Sequence, residues 1–203
     1  MKVEKLTVQG AFVFTPEVFP DRRGLFVSPF QRAPFAAASG SPLLPVAQTN
    51  HSVSHRGVVR GVHYTSAPPG AAKYVYCAAG TAIDIVVDVR VGSPTFGRWD
   101  AVRMSSREIR AMYFPVGVGH AFVSLADDTV MSYMLTGSYV PEHERVVSAL
   151  DPALGLPIPT DLETIISDRD RGSPSLAETA EAGLLPDYQL CQVLEQQLYQ
   201  VAH

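Results

Sequence analysis

The chain has 203 residues, of which 46% are apolar and 18% charged, and its formal net charge is −4. That length can bury a full core. The weakly acidic balance, with no basic stripe interleaved with aromatics, excludes the electrostatic footprint of a nucleic-acid binder.

The opening stretch, MKVEKLTVQGAFVF, alternates and carries Lys2, Glu4 and Lys5. It predicts strands at 3–8 and 11–14 rather than the apolar core of a signal peptide. Cys77 and Cys191 lie far apart with no CxxC, which predicts reduced thiols in a cytoplasmic protein. Further strands are expected at 25–30, 46–53, 58–64, 73–78, 81–90, 99–104, 111–114, 120–125 and 129–136. Turn signals such as FPDRRG, SPLLP, SAPPGAA, VGSPTFG and LADD separate them. Many short strands at this spacing predict an all-β sandwich or barrel over 1–165. The most apolar run, AAGTAIDIVVDVRV, is broken by Asp84 and Asp88, so no membrane span is expected.

The tail changes period. Ser173-Pro174 opens SLAETAEAG, with Gly183 placed to end a helix. After Pro186, Leu190, Val193, Leu194, Leu198 and Val201 recur at helical spacing. Residues 173–203 therefore predict two short C-terminal α-helices packed on the outside of the β-body, within one domain spanning 1–203.

Polar residues then stand out against this background. In VVRGVHYTSAPPGAAKYVYC, Arg60 and His63 sit among Val58, Val59, Val62 and Tyr64, and Lys73 opens the next strand. Strict alternation puts Arg60 and His63 on opposite faces, unless Gly61 hosts a bulge that resets the parity. Several cationic donors at one barrel mouth cost desolvation unless they meet an anion. In VAQTNHSVS, alternation places Gln48, Asn50, Ser52 and Ser54 on one face, which periodicity alone reads as solvent-facing. Tyr133 and Tyr139 in SYMLTGSYVPEHE read by themselves as ordinary half-wet tyrosines. Ser167, Arg169 and Asp170 in SDRDRG read as a turn with charge at a helix start.

Other chemistries find little support. His51, His55, His63 and His120 are available, but His63 stands alone where a metal-binding cupin needs an HxH pair, so no metal is expected. There is no GxSxG elbow, no Gly-rich phosphate loop and no dinucleotide fingerprint.

In order along the chain, DRRGLF, VAQTNHSVS, RGVVRGVHYTSAPPGAAKYV, AIDIVVDVRVGSPTFGRW, FPVGVGHAF, SYMLTGSYVPEHE, LDPALGLP and SDRD resemble the dTDP-4-dehydrorhamnose 3,5-epimerase family. The version with HYT, KYVYC, GVGHAF and SYML is similar to the family's 5-epimerases of antibiotic deoxysugars. The resemblance implies a cupin-type jelly roll, a homodimer with N-terminal strands crossing between subunits, and neither metal nor cofactor. It implies a dTDP-linked 4-keto-6-deoxy sugar as substrate, inverted at C5 with or without C3. A 3-epimerase of the same substrates is the alternative, and a barrel that binds sugar or metal without epimerising is the competing class.

By the same resemblance, His63 is the base, Asp170 its orienting carboxylate, Lys73 the cation beside the sugar carbonyl and Tyr133 the acid. Diphosphate and nucleotide contacts fall on Arg23, Gln48, Asn50, Arg60, His120, Glu144 and Arg169, with Phe26 also in the binding set and Tyr139 stacking on thymine. This chain departs from the family pattern at Ser28, Thr65 and Met134, where the family carries glutamate, glutamine and lysine. Two lost charges beside the ligand would suit a modified sugar, such as a 2-deoxy or 3-amino one.

Overall fold

The computed structural model describes residues 1–41 and 44–200. Strands β1 (Lys2–Lys5), β2 (Phe12–Thr15), β3 (Val18–Asp21) and β4 (Gly24–Val27) precede helix α1 (Arg32–Ser39). Next come β5 (Gln48–Ser54), β6 (Val59–Thr65), β7 (Lys73–Ala79), β8 (Thr81–Val87) and β9 (Trp99–Ser105). β10 (Ala111–Phe114), β11 (Gly119–Ser124), β12 (Thr129–Leu135) and β13 (Glu144–Val146) follow, and α2 (Asp168–Arg171), α3 (Leu176–Glu181) and α4 (Tyr188–Gln200) come last.

Two antiparallel sheets, ordered β1-β2-β10-β7-β12-β5 and β13-β6-β11-β8-β9, form the body of a cupin-type jelly roll. Side-chain alternation decides what each face packs against. Val75 and Cys77 of β7, Ala82 and Val86 of β8, Phe122 of β11 and Met131 of β12 point inward and meet in one buried cluster. The outward residues of β6, β8 and β11, including Val59, Tyr64, Ile85 and Val123, are covered by the chain between Val147 and Leu162 and by Leu176 of α3. Burying such side chains contributes about 1.5–3 kcal/mol each.

The outer face of the six-stranded sheet carries Phe12, Phe14, Tyr74 and Tyr113, which α1 and α4 cover with Phe35, Cys191 and Tyr199. Phe35 packs edge-on against Tyr113, with ring centroids 5.3 Å apart. Helix α1 was not expected from the sequence. Its apolar content is mostly alanine around Phe35, and it ends at Gly40, whose φ of 73° is left-handed. The strand expected at 25–30 stops at Val27, and the short β3 and β13 were not anticipated either.

The two predicted C-terminal helices form as α3 and α4, and Ser175 and Glu178 make a capping box at the start of α3. The apolar stripe predicted for α4 is corrected. Leu190 and Val193 remain 36% and 49% exposed, whereas Cys191, Leu194, Leu198 and Tyr199 face the sheet. Two contacts rotate the helix onto this face. Cys191 seats so tightly against Gly117 that a Cβ there would lie 2.3 Å from its Sγ, and the Tyr199 hydroxyl meets that of Tyr113 at 2.5 Å. Val201 lies outside the described residues. Cys77 and Cys191 are free and buried, and burial pushes their thiols up to about 11 and about 12.

Candidate active site

The site begins with an irregularity in β6. The β6–β11 ladder pairs His63 with His120 and Arg60 with Phe122, so Gly61 and Val62 together oppose Ala121. That extra residue is a bulge, and it resets the alternation. Val59, Val62 and Tyr64 face the outer cluster, while Arg60, His63 and Thr65 line the cavity between the sheets. Only glycine fits at the bulge. Gly61 has φ 112°, and a Cβ there would lie 2.4 Å from the His120 carbonyl oxygen.

The cavity has a volume of about 560 Å³, and β6, β7 and β12 present Thr65, Lys73 and Leu135 to it. Nε2 of His63 lies 2.8 Å from Oδ1 of Asp170. The second carboxylate oxygen, Oδ2, accepts the Gly61 backbone N–H at 3.2 Å, so the bulge also anchors the carboxylate. Asp170 is delivered by α2, whose N-cap Ser167 accepts the Asp170 N–H at 3.1 Å. Burial alone would raise the Asp170 carboxyl. The hydrogen bond and charge of His63, the Gly61 N–H and the charge of Arg169 outweigh it and hold the group below its ordinary value.

Lys73 is 7% exposed and makes no hydrogen bond to a described residue. Burial lowers its ammonium from the usual lysine range, against the opposing charge of Glu144. Tyr133 stands on β12 with its hydroxyl 3.4 Å from Ser52 Oγ, and burial raises its phenol well above the usual tyrosine value. The phenol therefore keeps its proton at neutral pH. His120 packs edge-on to Phe114 at 4.5 Å and to Tyr133 at 5.7 Å, and its Nε2 is 2.5 Å from Asp84 Oδ1.

The structure gathers His63, Lys73, Tyr133, Asn50, Arg60, His120, Tyr139 and Glu144 around this one cavity, with Asp170 directly behind His63. Gln48 stands one step back, donating to Asn50 at 2.7 Å and accepting the Tyr139 N–H at 2.9 Å. Arg169 donates to the Glu144 carbonyl at 3.0 Å without lining the cavity. Arg23 and Phe26 are not brought to it. They sit on the separate β3–β4 hairpin, where Arg23 pairs with Asp21 and Phe26 is 67% exposed.

Of the departures from the family pattern, Thr65 lines the cavity and donates to Glu144 Oε1 at 2.9 Å. Met134 does not line it. Its side chain packs against the outer aromatic cluster, which corrects the expectation of a charge lost beside the ligand at that position. Ser52, expected to face solvent, lines the cavity with Asn50. Asp84, which stands behind His120, was not singled out in the sequence. Its signal was its parity with Ala82 and Val86, which demands a buried partner for a carboxylate.

Among the described residues, no three His, Cys, Asp or Glu side chains cluster to hold a metal ion. No described helix is long and apolar enough to cross a membrane. An imidazole–carboxylate pair, an ammonium and a protonated phenol around one cavity can remove a proton beside a carbonyl, hold the resulting oxyanion and return a proton from a second direction.

Residues 5–178 match the sequence pattern of dTDP-4-dehydrorhamnose 3,5-epimerase. A dTDP-4-dehydro-6-deoxyglucose 3-epimerase of a Streptomyces species is 46% identical over 191 residues, covering 94% of this chain and 97% of the relative. A dTDP-4-dehydrorhamnose 3,5-epimerase of Mycolicibacterium smegmatis is 44% identical over 198 residues, covering 98% and 97%. Among solved structures, a double mutant of ChmJ, a 3'-monoepimerase from Streptomyces bikiniensis in complex with dTDP, superposes with a TM-score of 0.92. Its identity is 44%, and the match covers 98% of this chain and 99% of that one. With its jelly roll, its cavity and this likeness along nearly the whole length, the chain belongs to the dTDP-4-dehydrorhamnose 3,5-epimerase family.

Proposed function

We propose that this enzyme epimerises a dTDP-linked 4-keto-6-deoxyhexose in the biosynthesis of an antibiotic deoxysugar, without a cofactor. One observation carries the reading. His63, backed by Asp170, and Tyr133 line the same cavity as the buried cation Lys73. His63 takes the proton from the carbon beside the ketone, and the electron pair moves onto the oxygen as an enolate. Asp170 fixes the imidazole's tautomer and orientation. Lys73 stabilises the oxyanion, a contribution of about 2.7–4 kcal/mol for a donor of this kind. Tyr133 supplies the proton on the opposite face, and the centre is inverted. ChmJ was crystallised with one histidine and one tyrosine replaced, and these stand the same number of residues apart as His63 and Tyr133. That spacing supports the pairing of roles.

Arg60, Asn50 and Glu144 of the cavity wall bind the nucleotide portion, and Tyr139, 51% exposed, offers its ring to the thymine. Arg23 and Phe26 complete the site from a second copy of this chain. The hairpin that carries them exposes Phe19, Leu25 and Phe26, and β5 is an edge strand with Val53 exposed, which supports a homodimer built through these elements. The buried free thiols suit a cytoplasmic enzyme.

The inverted carbon is C5, with or without C3. A second reading, inversion at C3 alone, is supported by the 46% identical 3-epimerase. Incubation with dTDP-4-keto-6-deoxyglucose and its 2-deoxy and 3-amino analogues in deuterated buffer tests the class. Deuterium should enter a carbon beside the ketone, and its exclusion from C3 and C5 of every such sugar would refute the proposal.

A further inference from the structure

We propose that Asp84 is a positioning residue that holds His120 as an imidazolium, so that its Nδ1–H donates to the substrate oxygen that becomes anionic. The inference rests on the epimerase reading above and adds a second imidazole–carboxylate pair to it. Asp84 occupies an inward position of β8, in parity with Ala82 and Val86, and is fully buried. Its Oδ1 lies 2.5 Å from His120 Nε2, and its Oδ2 is the one buried side-chain oxygen or nitrogen without a partner among the described residues.

A buried carboxylate with an unpartnered oxygen is tolerated only beside a compensating charge. Cys77 and Tyr133, which both feel the charge of Asp84, are neutral acids and supply none. Of the other titratable groups in the cavity, His63 is paired with Asp170 and Lys73 feels the charge of Glu144. Arg60 is exposed and turned toward Ser54 and the Val53 carbonyl. The compensating proton therefore sits on His120. Nε2–H is spent on Asp84, and Nδ1 has no partner among the described residues yet is not sealed from solvent, so it opens on the cavity that His120 lines. Phe114 and Phe122 flank the ring and fix its direction. His120 and His63 are register partners across the β6–β11 ladder. One imidazole thus removes the carbon's proton while the other donates to the developing enolate oxygen. The imidazolium keeps its own proton throughout, so the step balances with His63 as acceptor and Tyr133 as donor.

The test is nitrogen NMR of histidine-labelled, ligand-free enzyme at neutral pH, with the His120 signal assigned by its loss in His120→Gln. Both ring nitrogens of His120 should be protonated in the wild type, and one should lose its proton in Asp84→Asn. In turnover of the dTDP-4-keto sugar, Asp84→Asn should lower kcat by about 10²-fold and leave KM within about threefold. A neutral His120 in the wild type, or an Asp84→Asn kcat within twofold of it, would overturn the proposal. If Asp84→Asn does not fold, the wild-type spectrum alone decides. If no 4-keto sugar nucleotide is turned over, the epimerase reading fails, and the protonation of His120 still judges the pair.

Discussion

Arg60 and His63, three positions apart on β6, point into the same cavity because Gly61 and Val62 together oppose Ala121 on β11. The same glycine gives its N–H to Asp170, so one bulge both aims the His63 imidazole and holds its carboxylate. Gly61→Ala should therefore damage fold and site together. Its Cβ would fall 2.4 Å from a backbone oxygen, on a residue whose φ of 112° a side chain rarely adopts. A loss on the order of 3 kcal/mol is expected. Urea titration of the variant, alongside Gly57→Ala as a second strained glycine away from the cavity, checks it. Wild-type stability in Gly61→Ala would contradict the bulge.

The His63–Asp170 pair makes a prediction about both rate and acid stability. Asp170→Asn should lower kcat by about 10²–10⁴-fold, as loss of an orienting carboxylate does elsewhere, with a small change in KM. The carboxyl is depressed below its ordinary 3.8 in the folded protein. Its contribution to stability is thus fully present above about 3.8 and is lost as pH falls through the lower folded value. The melting-temperature gap between wild type and Asp170→Asn should hold steady from about pH 5 to 7 and close below about 3.8. A gap that widens on acidification would mean that the carboxylate is not the favoured form in the native state.

The strands were legible because β7, β8, β11 and β12 alternate cleanly between two apolar environments. Helix α1 was not, since its packing depends on Phe35 finding aromatic partners from β2, β7 and β10 far away in sequence. His63 and Lys73 could be singled out as costly polar residues in apolar strands. Asp170 could not be joined to His63 without the resemblance, because the two are 107 positions apart and meet only through α2. Asp84 escaped notice because a carboxylate in an apolar run reads first as a break in hydrophobicity. The α4 stripe was displaced because Cys191 and Tyr199 make contacts that simple apolar periodicity does not weigh.

Arg23 and Phe26 supply a test of the shared site. If a second copy contributes them, an Arg23→Ala protein and a His63→Ala protein should each be nearly inactive alone, since each copy then lacks one essential element. Mixed and refolded together, they should recover up to about a quarter of wild-type activity. In a mixed dimer, one of the two cavities has both residues intact, and statistical mixing makes half of the dimers mixed. Activity measured against mixing ratio, with sedimentation to establish the dimer, reads this out. No recovery from a mixture shown to contain mixed dimers would place Arg23 outside the site.

With the roles proposed for His63 and Tyr133, the carbon that is inverted depends on how the sugar lies between them. The phenol alone does not choose, because ChmJ, a 3'-monoepimerase, also has a tyrosine that was replaced in its double mutant. With His63 as the proposed base, inversion at C5 needs a proton delivered to that carbon from the opposite face, and Tyr133 is a protonated acid lining the cavity. Tyr133→Phe should therefore keep solvent exchange at the carbons His63 reaches while slowing inversion at C5 by about 10²–10⁴-fold. The variant should fold normally, since the one hydrogen bond of the phenol, to Ser52, is 3.4 Å long and contributes little. Proton NMR of product formed in deuterated buffer, from the plain, 2-deoxy and 3-amino 4-keto sugars, separates exchange from inversion at each carbon. Inversion at C5 by the wild type, lost in Tyr133→Phe, is the expected result. Inversion confined to C3 across the whole panel would move the enzyme beside its 46% identical relative, with the enolate chemistry of His63 unchanged.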